Sequence, residues 1–438
     1  MSKVIIAGGG LAGLSAAAAL GSAGFEVDLL ESRAFFGGRA TSWPVSPTEP
    51  EVIDNCQHVL LKCCVNLRDF YRRLGVENEI HYFDRFHFIE PGGRVSIMKR
   101  GLLPAPAHFT ESFLTMKCFT MGDKLAIFRA MMAIPRERRR ADLDDITMLD
   151  WLREKRQTHG ALERYWKPVL YSAISEELDG MAAAHAFQVF WLGMFASRDA
   201  YELGVPTVPL RELYKPDTWS RLGAVSLKSR AAVEQIVFEN GRVAGVVAGG
   251  VMHQADYYIS ALAFEKLAQV APDAPVDTTP FRHSPITGIH LWFDRPVTTL
   301  PHATLLDRTI QWMFNKNEGR YLQVVVSASR SLVEMPRQVV IDLVVRELAE
   351  FFPAVKQAKL ERAQVIKEVR AIFSAVPGLE TKRPFATTSA ANFFLAGDWT
   401  KTGWPATMEG AVRSGYLAAE AVTRAAGAPK TFLIPDIG

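Results

Sequence analysis

Residues 4–14 read Val4-Ile5-Ile6-Ala7-Gly8-Gly9-Gly10-Leu11-Ala12-Gly13-Leu14, and this stretch decides the fold. The branched apolar run 4–7 suits a strand buried on both faces. Gly8, Gly10 and Gly13 follow as G-x-G-x-x-G, and 14–20 is an alanine-rich run of helix formers that stops at Gly24. A second strand, 26–30, ends at Glu31, 23 positions after Gly8. Gly8 permits a tight turn, Gly10 lets backbone approach a pyrophosphate, and Gly13 lets helix and strand pack closely. Leu11 and Ala12 begin the helix, whose free N–H groups and positive dipole end favour phosphate. Glu31 is placed to accept hydrogen bonds from ribose hydroxyls. A lone glycine motif is weak, but strand, glycines, helix, strand and acid in this order specify a dinucleotide-binding unit.

The residues after Glu31 separate the two common dinucleotides. They read Ser32-Arg33-Ala34-Phe35-Phe36-Gly37-Gly38-Arg39-Ala40. A glycine pair ending in arginine, close behind the acidic residue, resembles a segment of FAD-dependent amine oxidases and carotenoid desaturases. In those families it runs past the pyrophosphate toward the flavin. Paired glycines suit close backbone approach, and arginine neutralises phosphate or flavin charge. The resemblance implies FAD as cofactor, with Ser32, Gly37, Gly38, Arg39 and Ala40 along it. An exposed loop with a solvated Arg39 is the plainer alternative.

The chain has 438 residues, enough for two or three domains at roughly 150 residues each. Hydrophobic residues make up 48% and charged residues 22%, which excludes a disordered or collagen-like chain. A net charge of +3 argues against a dedicated nucleic-acid binder. Cys56, Cys63, Cys64 and Cys118 have no C-x-x-C spacing, so neither a metal site nor a redox pair is expected. No apolar run reaches the ~18 residues that span a bilayer, and the N-terminus lacks the form of a signal peptide. The expectation is a cytoplasmic protein, free or held on the inner face of the cell membrane.

Phe393-Phe394-Leu395-Ala396-Gly397-Asp398 is an apolar strand that delivers a glycine and an aspartate at its end, where ligands sit in open α/β sheets. Gly397 permits contact with phosphate, and Asp398 can accept from a ribityl hydroxyl. A helix then starts near Thr407 and Met408, and its dipole suits negative charge on a flavin pyrimidine. Runs 232–238 and 242–248 alternate around Asn240-Gly241 as a hairpin, with a strand expected at 251–259. Further strands are expected at 287–293, 309–314 and 321–327, covered by a helix over 337–352.

Asp54-Asn55-Cys56-Gln57-His58 together with Gly403-Trp404-Pro405-Ala406-Thr407-Met408-Glu409-Gly410 resembles the squalene-associated FAD-dependent enzymes of hopanoid synthesis, the hydroxysqualene dehydroxylases. The match covers nearly the whole chain. It implies an α/β fold: a FAD-binding Rossmann-like (GR2-type) domain from 1–75, 205–262 and 385–438. Inserted into it is an α+β substrate domain with an antiparallel sheet, from 76–204 and 263–384. Val233 is implied as the residue that meets adenine through its backbone. Cys56 departs from the pattern, where glycine is expected.

The resemblance implies reduction of hydroxysqualene, a C30 isoprenoid alcohol, to squalene by hydride from FAD. Hydroxide is a poor leaving group, so a general acid is needed. His58 is the first candidate, with Asp54 to orient it or to serve as an acid; each also suits a plain turn or core role. An upstream enzyme of the squalene pathway, or a flavin reductase, is an implied partner. Two rivals stay open: an oxidative polyene desaturase, and a non-catalytic prenyl-lipid carrier on the same fold. Phe109, Phe113, Met116, Phe128 and Met131 are expected to line a tunnel or pack as core. The methionine-rich helix over 124–134, ending at Pro135 beside Arg136–Arg140, fits either anionic lipid or a solvated helix end.

Overall fold

The computed structural model describes residues 2–46, 48 and 51–437. Pro47 and Pro50, read with Pro44 as a non-helical excursion, lie outside them. Lys3–Ala7, Glu26–Leu30, Val225–Lys228, Tyr257–Ser260 and Phe393–Leu395 form one parallel sheet. Their spatial order is 225–228, 26–30, 3–7, 257–260, 393–395. Strands 3–7 and 393–395 are apolar and almost wholly buried, as strands covered on both faces must be. Helices Leu11–Ser22 and Met408–Ala425 touch closely: a β-carbon at Gly415 would run into the Ala12 carbonyl. The carboxyl ends of these strands therefore bring Gly8, Glu31 and Gly397 to one edge of the sheet.

A second, seven-stranded sheet runs in the order Leu360–Phe373, His283–Phe293, Tyr321–Ser327, Trp312–Asn317, His302–Leu305, Arg85–Ile89, Val95–Lys99. All neighbours are antiparallel except His302–Leu305 with Arg85–Ile89. One face carries Ile289, Leu291, Leu322, Val324 and Met313. It packs under helix Arg337–Phe351 through Val340, Val344 and Leu348. The other face alternates with the first and meets the 55–56 turn, where a β-carbon at Gly288 would lie 3.0 Å from the Asn55 carbonyl oxygen. Glycine at 288 thus lets the turn lie flat on the sheet.

Several elements differ from expectation. The strand read at 251–259 is two strands in different sheets: Val251–His253 ends the meander begun by the 233–248 hairpin, and Tyr257–Ser260 enters the parallel sheet. The strand read at 309–314 starts only at Trp312, and His302–Leu305 and Leu360–Phe373 were not foreseen. Helix Met121–Glu137 passes through Pro135, because a proline in the last turn forfeits only one of the helix N–H bonds. Its start is fixed by a capping box between Thr120 and Asp123. The region 146–195, read as a long helical region, is helical in short pieces. It breaks into Met148–Glu154, Lys167–Ile174 and Ala183–Phe190, with π-type turns at 162–166 and 191–195. Of the residues read as tunnel or core, Phe109 and Met116 are buried, Phe113 and Met131 are partly so, and Phe128 points outward. Among the described residues no helix is long and apolar enough to cross a membrane.

Candidate active site

The glycine cradle is explained by what a side chain would hit. Gly8 has φ +108°, and a β-carbon there would lie 2.8 Å from the Ala261 carbonyl oxygen; one at Gly13 would run into the Gly8 carbonyl. Gly10 differs. A β-carbon on it would find nothing nearer than the Gly38 Cα at 3.8 Å. Gly10 is also the N-cap of helix Leu11–Ser22, and no side chain caps or covers that helix start. That is the fit a pyrophosphate needs.

Glu31 is buried and works within its own loop. Its carboxylate accepts from Gly9 N and Arg33 N, each at 2.8 Å, and from the Ser32 hydroxyl at 3.1 Å. With roughly four lone-pair directions on a carboxylate, it retains capacity for a ribose. Gly37 N donates to Gly9 O at 2.8 Å, and Ala40 N to Gly37 O at 3.0 Å. A β-carbon at Gly38 would crowd Gly10 Cα at 2.9 Å, so the two glycine segments lie against each other. Ala231 N donates to Glu31 O at 2.8 Å, which brings the start of strand Val233–Glu239 beside the acidic residue.

Arg39 reaches across to the C-terminal segment: Nη2 lies 2.5 Å from Asp398 Oδ1, and Nη1 donates to Ala371 O at 2.9 Å. Burial opposes the guanidinium charge, but Asp398, Glu265 and Glu368 outweigh it and raise its pKa. Gly397 N donates to Ser414 Oγ at 2.8 Å, and Thr407 caps helix Met408–Ala425 through Gly410 N at 3.0 Å. Glu409 is fully buried and faces away, accepting from Asn66 N and Leu67 N to cap helix Val65–Leu74. The sequence reading missed Arg383. Its buried guanidinium donates to the carbonyls of Asp398 and Trp404, at 2.8 Å each, and holds the 398–404 loop.

The 54–58 turn does not match the expected pairing. Asp54 accepts from Ser42 Oγ at 2.7 Å and from Leu210 N at 2.9 Å; it braces the chain rather than His58. The His58 ring instead bonds through Nδ1 to the Cys56 carbonyl at 2.9 Å. A carbonyl accepts only, so Nδ1 carries the proton and Nε2 is left as an acceptor. Burial lowers the His58 pKa, against the opposing pull of that carbonyl, Asp54 and Glu368. At neutral pH the ring is uncharged, so it suits proton acceptance and not the donation expected of it. Cys56 is not among the residues with positive φ, so no glycine is needed there. Its thiol packs with Leu203, Phe314 and Val325, and burial pushes its pKa up to about 12.

Facing this turn, the sheet presents a cross-strand row in register. Gln364 pairs His290, His290 pairs Gln323, Gln323 pairs Phe314, and Phe314 pairs His302. Directly opposite residues share a face. Both amide atoms of Gln323, both ring nitrogens of His302, His290 Nε2, Trp312 Nε1 and Thr304 Oγ1 are buried without a hydrogen-bond partner in the protein. Burial lowers both His290 and His302 to about 3, so both rings are neutral. At a β-bulge in 315–317, Lys316 Nζ reaches Gln57 Oε1 at 2.8 Å, and burial lowers its pKa too. Neither the row nor Lys316 was legible in the sequence.

The profile of the flavin-containing amine oxidoreductases matches residues 11–423. The chain belongs to that family. FAD is its cofactor, and the cradle, the Arg39–Asp398 bridge and the helix start at Thr407 fit it. As a family member the chain is a FAD-dependent oxidoreductase. It is 28% identical to the probable zeta-carotene desaturase of Synechococcus elongatus, over 97% of this chain and 99% of that one. It is 25% identical to the 15-cis-phytoene desaturase of an Oncidium hybrid cultivar, over 96% of this chain and 78% of that one. Its fold is similar to that of an oxidoreductase from Methanosarcina mazei, with TM-score 0.71, 19% identity and coverage of 96% and 100%. It is also similar to cyclohexylamine oxidase from Brevibacterium oxydans, with TM-score 0.69, 16% identity and coverage of 97% and 99%. Among the described residues no group of His, Cys, Asp and Glu could hold a metal ion.

Proposed function

We propose that this flavin-containing amine oxidoreductase removes the hydroxyl group of hydroxysqualene reductively and releases squalene. The observation that carries the reading is the unpartnered polar row of His290, Gln323, His302, Thr304 and Trp312 opposite the Cys56–His58 turn. Each buried polar group left unpaired costs about 1–3 kcal/mol, and a pure hydrocarbon offers none of them a partner. An alcohol offers one donor and two acceptor positions. Reduced FAD supplies the hydride when bound. The C–O bond breaks, a C–H bond forms, and the hydroxyl leaves as water after taking a proton. Lys316 is the proton source, since a buried ammonium is a stronger acid than a solvated one. His58 Nε2 accepts the hydrogen bond of the alcohol. The reaction consumes reducing equivalents, which a flavin reductase can supply, and an upstream enzyme of C30 isoprenoid synthesis supplies the alcohol. The cytoplasmic face of the cell membrane is where such a substrate resides.

A second reading, oxidative desaturation of a polyene, has its own support. Relatives of the chain include carotene and phytoene desaturases, and a neutral His58 with a bare Nε2 suits removal of a proton next to the site of hydride loss. Ligand discrimination separates the two. Quenching of protein fluorescence by hydroxysqualene and by squalene should give at least tenfold tighter binding of the alcohol, and Gln323→Leu should erase that ratio. Equal affinities in the unmodified protein would remove the support for the alcohol.

A further inference from the structure

Helix Met121–Glu137 carries large apolar side chains on its outward face as well as apolar ones inward. Its inward face holds Ala126, Ile127, Ala130 and Ile134, but also Asp123, bonded to Thr120 and Thr158, and Lys124, whose Nζ donates to Leu114 O at 2.6 Å. Its outward face carries Met121, 72% exposed, Leu125, Phe128, 58% exposed, and Met132. These positions follow i, i+4, i+7 and i+11, one continuous stripe along a helix. Exposed Leu114, on the carbonyl that Lys124 holds, extends the stripe sideways. A stripe of this kind, four large apolar side chains on one helix face, is not the scatter of single apolar residues that ordinary surfaces show.

Charge says what covers it. Arg129, Arg136 and Arg139 are exposed on the same helix and just past its end. Among the described residues none of the three is in an ion pair, whereas Arg140 of the same basic run is bound to Asp142 and Glu154. Arg138 lies 3.7 Å over the Trp191 ring, which anchors an aromatic at the rim. No acidic residue of the helix is free: Asp123 is buried, and Glu137 is taken by Lys155 and Trp151. An apolar stripe with unpaired cations along its own helix matches an anionic bilayer, whose headgroups take the arginines while the acyl region takes the stripe.

We propose that the Met121–Met132 face docks this protein on an anionic membrane surface, with Arg129, Arg136 and Arg139 on the headgroups. Buried Phe109 meets Tyr201 at 4.6 Å, Tyr201 meets Phe86 at 6.0 Å, and Phe86 meets Trp312 at 6.3 Å and His302 at 6.4 Å, in the unpartnered row. These ring contacts form a packed aromatic row from Phe109 to the unpartnered polar groups. The docking itself does not depend on which direction the redox reaction runs.

Flotation of the FAD-loaded full chain with vesicles of phosphatidylglycerol and phosphatidylcholine, against phosphatidylcholine alone, tests it. Binding should be strong only to the anionic vesicles and should fall as salt rises from 50 to 500 mM. Each of Arg136→Gln and Arg139→Gln should weaken it by about fivefold, the roughly 1 kcal/mol per cation near an anionic surface. Leu125→Asp with Phe128→Asp should abolish it while the flavin spectrum stays unchanged, since both side chains point to solvent. Equal binding to neutral vesicles, or full binding by the aspartate variant, would overturn the proposal. So would sedimentation showing a dimer that the aspartate variant splits, because a second copy would then cover the stripe.

Discussion

Arg39 and Asp398 stand 359 positions apart in the chain and meet at 2.5 Å. The ion pair ties the loop after the first βαβ unit to the loop after the last strand, two segments whose groups fit FAD. Its removal should therefore be felt in cofactor retention before it is felt in folding. Asp398→Ala should weaken FAD binding by about tenfold or more, about 1.4 kcal/mol, as read by flavin release on dilution. Arg39→Ala with Asp398→Ala should cost less than the sum of the single changes. Additive losses would mean that the two residues do not act as a unit.

Two glycines of the same motif should fail in different ways. Gly13→Ala places a methyl against the Gly8 carbonyl, backbone on backbone, and should lower the thermal midpoint whether or not FAD is present. Gly10→Ala meets open space, so the fold should keep its midpoint while FAD affinity falls, because the methyl occupies phosphate space. Equal loss of stability in both variants would contradict this division.

In the proposed reaction Lys316 on the sheet is the acid and His58 on the turn is the acceptor. Lys316→Met should slow turnover by about a hundredfold or more with FAD still bound, and should remove the alkaline limb of the kcat profile. That limb should lie below 10.5, because burial lowers the Lys316 pKa. Asp54→Asn should act on stability instead, since its partners are Ser42 Oγ and Leu210 N and not His58. A pH profile unchanged by Lys316→Met would remove lysine from the proton path.

Buried neutral histidines set a pH dependence of stability. Burial takes His185, His290 and His302 from 6.5 to about 3. In the unfolded chain these rings protonate below about 6.5, whereas in the folded one they stay neutral until near 3. The unfolded state binds more protons in that window, so stability falls as pH drops from 6.5. Each ring contributes up to about 1.4 kcal/mol per pH unit. Urea midpoints at pH 7.5, 6 and 5 should decline steadily, and a flat series would contradict the burial of neutral rings.

The cradle was legible because its logic is local: Gly8, Gly10, Gly13 and Glu31 act on neighbours within one βαβ unit. Asp398 was legible because it ends an apolar strand. The polar row was not, since Tyr321–Ser327 is buried on both faces and alternation alone does not tell Gln323 toward the site from Val324 toward helix Arg337–Phe351. Leu360–Phe373 carries charged residues at helix-like spacing and becomes a strand only by pairing with His283–Phe293. Arg383 is in a loop, and its five-fold reach to the 398–404 carbonyls and hydroxyl exists only once the chain has closed. His58 was named for its ordinary pKa; burial and the Cys56 carbonyl, both products of folding, reversed the role that value suggested.

The direction of the reaction is tested by one anaerobic experiment. Protein whose FAD has been reduced is mixed with hydroxysqualene, and the flavin spectrum and the C30 products are followed over a single turnover. The flavin should reoxidise as squalene appears in equal amount, and oxidised protein should leave squalene untouched. A flavin that stays reduced with hydroxysqualene, while oxidised protein is reduced by a polyene and yields a more unsaturated product, would contradict it.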